Sequence, residues 1–158
     1  MLSLSTCIIF NNQAEQAVNF YSTIFKDLKV LGKSYCGENE PSGPAGSVRT
    51  VLFRMLGQDF IAVNGGPYFK FNEDITLTIN CETQEEIDNL WTKLTADGGK
   101  EIQCGWLADK FGVFWQVTPK DLSSMMLDPD QKKSARAMQA ILKMKKLNIA
   151  EIKKAFEG

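Results

Sequence analysis

Four cysteines, nineteen carboxylates and no histidine set the chemistry open to this 158-residue chain. Without imidazole, triads with a histidine base, zinc sites with histidine ligands and histidine proton shuttles are all excluded. Cys7, Cys36, Cys81 and Cys104 lie more than twenty residues apart with no C-x-x-C among them. With no signal-peptide pattern at the N-terminus, they read as free thiols, mostly in the core. Cys104 precedes Gly105 and has no basic neighbour in sequence to lower its thiol pKa, which argues against a nucleophile. Arg49 and Arg54 fall on opposite faces of one strand, so at most one of them can meet an anionic ligand.

Those side chains must be positioned by ordinary globular elements. Apolar residues make up 44% of the chain, enough to fill a core without a disulfide or metal staple. Lys and Arg total 18 against 19 Asp and Glu, a net charge of −1 that gives no strong field for nucleic acid or anionic lipid. The longest apolar runs, such as Cys7 to Phe10, are strand-sized, far below the ~20 residues that span a bilayer. A cytoplasmic protein with no nucleic-acid or membrane partner is therefore expected.

An internal repeat with a period of 70 residues organises the chain. Laid against 76–91, residues 6–21 match Thr6 with Thr76, Glu15 with Glu85, Asn19 with Asn89 and Tyr21 with Trp91. Each unit opens with a β-rich run followed by an amphipathic helix. Ala14, Ala17, Val18, Tyr21, Ile24 and Phe25 form one helix face, and Ile87, Leu90, Trp91 and Leu94 form the other. Thr83 with Glu86 is a capping box, and Asp97-Gly98-Gly99 a stop.

Three strand-like segments follow each helix: about 28–36, 47–56 and 59–64, then about 100–104, 106–110 and 112–118, with Gly57-Gln58 a hairpin turn. The expected fold is α+β, two tandem βαβββ modules at 1–66 and 67–129 forming a curved mixed sheet, with a helical extension at 130–158. The Gly/Pro/Glu-rich stretch 37–46 is read as a mobile loop. The extension carries eight Lys/Arg against three Asp/Glu. Met138, Ile141 and Leu142 are spaced to dock one helix, and Asn148 with Glu151 caps another.

Alternation assigns the strand faces. Ile75, Leu77, Ile79 and Cys81 oppose Thr76, Thr78 and Asn80; Val113, Trp115 and Val117 oppose Phe114, Gln116 and Thr118; Ile61 and Val63 oppose Phe60, Ala62 and Asn64. The apolar set, with Cys7, is expected to meet the helices, leaving the mixed set toward solvent or a hollow.

Paired βαβββ patterns with Phe20-Tyr21 and its echo Leu90-Trp91 resemble the vicinal oxygen chelate (glyoxalase/bleomycin resistance/dioxygenase) superfamily. Residues 43–47, 64–72, 104–117 and 135–147 resemble its PhnB-like branch, often labelled 3-demethylubiquinone-9 3-methyltransferase. The resemblance implies a ligand hollow on the sheet and pairing into a homodimer. Superfamily enzymes hold a divalent metal there, and by register those ligand positions fall on Thr6, Ala62 or Asn64, Thr76 and Gln116. None is a carboxylate or imidazole, so neither metal nor other cofactor is expected. A doubly wound nucleotide site would need a Gly-rich turn after an opening strand, and none is present.

Three readings follow. The first is a small organic ligand held by Thr6, Asn64, Phe69, Thr76, Trp106, Phe114 and Gln116. The second is a metal-independent enzyme using Cys104 as nucleophile or Tyr68 as acid. The third is an interaction protein with a collapsed pocket. The aromatics can equally be core, and Gln116 and Asn64 can equally satisfy backbone groups at strand ends.

Overall fold

The structure, a computed structural model, describes residues 3–158. It divides into two compact units between Lys70 and Phe71.

In the first unit, β1 (Thr6–Phe10), α1 (Ala14–Ile24), β2 (Lys29–Tyr35), β3 (Val48–Met55) and β4 (Gln58–Asn64) build a four-stranded sheet ordered β1-β4-β3-β2. β1 runs parallel to β4, and the other pairs are antiparallel. α1 buries Ala14, Ala17, Val18, Tyr21 and Ile24, the face its spacing predicts. It packs on Ile8, Phe10, Val51, Phe53, Met55, Phe60 and Ala62, all buried. Register fixes the faces, because Val51 opposes Ala62 and Phe53 opposes Phe60 with stacked rings 5.1 Å apart.

This corrects the expected alternation. Ile61 and Val63 lie on the face away from α1, and so does Cys7, which pairs with Ile61 and is exposed. Both faces of β4 are largely apolar, and the larger burial available to Phe60 decides which one meets the helix. The β3–β4 turn also shifts by one residue. It is Leu56-Gly57, at φ of 51° and 75°, a two-residue type I′ hairpin closed by Met55 opposite Gln58. Leucine in this left-handed region costs about 1 kcal/mol, and the Leu56 N–H is held by Asp27 Oδ2 at 2.7 Å. The 37–46 loop is tied down: Glu40 accepts from the Gly37 N–H at 3.0 Å and from Arg49 Nη1 at 2.8 and 2.9 Å.

The second unit repeats the topology. β5 (Leu77–Cys81), α2 (Gln84–Leu94), β6 (Lys100–Glu101), β7 (Trp106–Ala108) and β8 (Phe114–Pro119) form a sheet ordered β5-β8-β7-β6, with β5 parallel to β8. The Thr83–Glu86 capping box is present, and Ile87, Trp91 and Leu94 pack on Ile79, Cys81, Leu107, Trp115 and Val117. Ile75 precedes β5 and is exposed. β6 and β7 are shorter than expected because Cys104 and Gly105 turn at positive φ, and their N–H groups donate to Met144 O and Lys145 O at 2.8 and 2.7 Å. A Cβ on Gly105 would stand 2.8 Å from Val117 O, so only glycine fits there.

The C-terminal helices α3 (Leu122–Met126), α4 (Gln131–Ile141) and α5 (Ile149–Glu157) pack within this unit. Ala137, Ile141, Leu147 and Ile152 form their core, joined by Cys104, Met144 and Phe156. Met138 and Leu142 face outward, 40% and 51% exposed, so of the predicted stripe Ile141 alone docks α4, together with Ala137. The Gln84 side chain donates to Leu147 O at 3.1 Å and accepts from the Ile149 N–H at 2.9 Å, imitating a strand pair. Asn148 caps α5 through the Glu151 N–H.

Candidate functional site

The face of the second sheet turned away from α2 collects four of the sequence candidates. Trp106 opposes Gln116, which is in parallel register with Thr78. Ala108 opposes Phe114, and on its other side Lys100. Thr76 stands one residue ahead of β5, at the position that continues this row beside Phe114. The Thr78 hydroxyl donates to Gln116 Oε1 at 3.4 Å, and Thr118 donates to Asn80 Oδ1 at 3.1 Å. Trp106, Phe114 and Gln116 are half-buried, and Ala108 is 7% exposed at the floor between Phe114 and Lys100. Alternation puts Thr76, Phe114 and Gln116 on this face, whereas Trp106 takes its side from pairing with Gln116.

The β7–β8 turn is held by a residue that sequence reasoning passed over. Asp109 is 3% exposed; its Oδ1 accepts from the Phe111 and Val113 N–H groups at 2.9 and 3.1 Å, and its Oδ2 from Trp115 Nε1 at 2.9 Å. The carboxylate thereby fixes where Ala108 ends and Phe114 begins. Lys100 was missed as well, because its face depends on pairing with Ala108 and not on any local motif.

The remaining candidates belong to the first unit and do other work. Asn64 lies on the α1 side of β4, where its Oδ1 accepts from the Ala14 N–H at 2.9 Å and its Nδ2 donates to Val48 O at 2.8 Å. It serves α1 as an N-cap from fifty residues away, Gln13 making no side-chain cap. Thr6 pairs with Phe60 and so shares the α1 side. Phe69 is exposed, with one ring edge over Gly65. Arg49 is taken by Glu40 and Arg54 by Asp59, the latter at 2.6 and 2.9 Å, which leaves both guanidiniums paired with carboxylates of their own unit. These pairs hold Glu40 and Asp59 below the usual carboxylate range, the Gly37 N–H acting first at Glu40 and the Arg54 hydrogen bond first at Asp59. Burial pushes the Cys81 thiol up to about 11. Tyr68 is 85% exposed.

A divalent ion does not fit the donors present. Of the four register positions, Thr6 and Asn64 lie on the α1 side and Gln116 bonds Thr78, and hydroxyls and amides alone hold such an ion weakly. Among the described residues no group of three or more Cys, Asp or Glu comes together in a metal-binding cluster.

A family profile described as 3-demethylubiquinone-9 3-methyltransferase matches residues 3–118, most of both βαβββ units. The chain belongs to this family. The chain is also similar to a solved structure from Bacillus cereus, described as a putative 3-demethylubiquinone-9 3-methyltransferase, PhnB protein. That pair shares 33% identity at a TM-score of 0.67, over 75% of this chain and 99% of that one. Protein PA1353 from Pseudomonas aeruginosa is 19% identical at 0.60, over 75% and 98%. The fosfomycin resistance protein FosX from Listeria monocytogenes is 14% identical at 0.53, over 74% and 91%. Both share the fold of this chain. No curated protein matches the chain significantly.

Proposed function

We propose that this PhnB-like protein binds a small organic molecule, without a metal, on the face of the second sheet away from α2. The observation that carries the reading is the adjacency of Trp106, Gln116 and Thr78 in one register row and of Phe114 and Ala108 in the next. Aromatic walls beside a few neutral hydrogen-bonding groups are the usual make-up of a small-molecule site. The reading sets methyl transfer aside. Each unit is a mixed sheet with one helix between its parallel strands, not the doubly wound sheet that holds a nucleotide cofactor at its strand ends.

A thermal-shift screen of small aromatic compounds tests it, since a ligand that binds only the folded state raises the midpoint. Hits should lose their shift in Trp106→Ala and Gln116→Ala. Shifts that persist unchanged in both variants would refute the assignment of this face. We further propose a homodimer, for which the outward Met138 and Leu142 on α4 offer apolar surface. Light scattering should return twice the chain mass at micromolar concentration; a monomer mass would overturn it.

A further inference from the structure

We infer that the ligand of this face is a planar aromatic anion, its ring against Phe114 and Trp106 and its carboxylate at Lys100. The inference rests on the small-molecule reading above and narrows it to one chemical class. Lys100, Ala108 and Phe114 occupy one register row across β6, β7 and β8. Adjacent strands stand about 4.8 Å apart, so roughly 10 Å separates the Lys100 and Phe114 backbones, with only the Ala108 methyl between them. The short, buried Ala108 thus stands between an aromatic residue on one neighbouring strand and a lysine on the other.

Charge points the same way. Thr78, Asn80, Trp106, Phe114 and Gln116 are uncharged, and Lys100 is exposed and forms no ion pair among the described residues. Its neighbour Glu101 turns to the α2 side, where it accepts from Trp91 Nε1 at 2.8 Å, so the adjacent carboxylate does not neutralise the row. A single uncompensated cation beside aromatic surface favours one anionic group on a flat apolar body. An amide or alcohol in its place would forgo a charge-assisted hydrogen bond, about twice as strong as a neutral one. Gln116 Oε1 accepts from Thr78, which leaves the amide N–H2 to donate to a ring substituent.

The test is calorimetric titration of the full chain with cinnamate, cinnamamide and cinnamylamine, which share a planar frame and differ in charge. Cinnamate should bind about fivefold or more tightly than cinnamamide. Lys100→Gln should erase that difference while leaving cinnamamide affinity and the thermal midpoint unchanged, and the exposed control Lys93→Gln should change nothing. Cinnamate and cinnamamide binding equally, with both lost in Phe114→Ala, would overturn the anion inference and keep the small-molecule reading. If none of the three binds, or if binding survives both Phe114→Ala and Trp106→Ala, both fall together.

Discussion

Replacing Asp109 by alanine should destabilise the second unit more than any other change to a polar side chain near the open face. The carboxylate accepts three N–H groups, from Phe111, Val113 and Trp115, and two of those bonds are buried. A buried donor left without an acceptor costs about 1–3 kcal/mol. Two such donors, with partial rehydration of the Phe111 N–H, give a loss of about 3–5 kcal/mol. Asp109→Asn separates hydrogen bonding from shape: its carbonyl can still accept from the backbone pair, but its amide then meets the Trp115 N–H donor to donor. The expected loss is smaller, about 2–3 kcal/mol, and most of it should vanish in a Trp115→Phe background. Urea unfolding followed by far-ultraviolet circular dichroism reads these values from the shift in midpoint at constant slope. An Asp109→Ala variant within about 1 kcal/mol of the parent would refute the account of the turn.

Asn64→Ala should cost about 2–4 kcal/mol in the same assay, the sum of a lost helix cap and an orphaned Val48 carbonyl, and should leave ligand affinity at the second sheet unchanged. Alkylation of the folded protein should label exposed Cys7 first and spare Cys36 and Cys81; Cys81, with its thiol pushed up to about 11, should stay inert at neutral pH. Rapid labelling of Cys81 would contradict the packing under α2. Stability should fall as pH drops through the carboxylate range, because Glu40, Asp59 and Asp88, the last hydrogen-bonded by Lys146 at 2.7 Å, have folded pKa values held below their unfolded ones. Their contribution is present above the unfolded pKa and is lost as they protonate. Unfolding midpoints measured between about pH 5 and pH 3 check this, and a flat profile would count against these ion pairs.

Where local chemistry decides structure, the chain is easy to read. Thr83 and Glu86 cap α2 within one turn, and Ala14 to Ile24 present their stripe at helical spacing. On β8, Gln116 and Thr118 mark one face, so the sides of the sheet taken by Phe114 and Gln116 and by the helix-facing Trp115 and Val117 were both legible. β1 and β4 carry apolar residues on both faces, and there alternation has nothing to choose between. A polar Asn64 then suggests an open face, although its partners, Ala14 and Val48, lie far away in sequence and only the folded sheet brings them to it. Lys100 and Asp109 were missed for the complementary reason: one acquires its position through strand pairing and the other its donors through a turn, and neither leaves a periodic trace.

The clamp of Gln84 on Leu147 and Ile149 bears on the order in which the protein matures during synthesis. Every strand pair and the helix of the first unit are present once Asn64 has left the ribosome, so that unit can close while the rest is still being made. The second unit cannot. After Pro119 emerges its sheet is complete, yet the Gln84 amide and the Cys104 and Gly105 N–H groups await Met144 to Ile149. For that interval of some thirty residues, a few seconds at about 5–20 residues per second, the sheet stands without the cover that Leu147 provides. Chaperone demand should therefore concentrate on one half of the nascent chain.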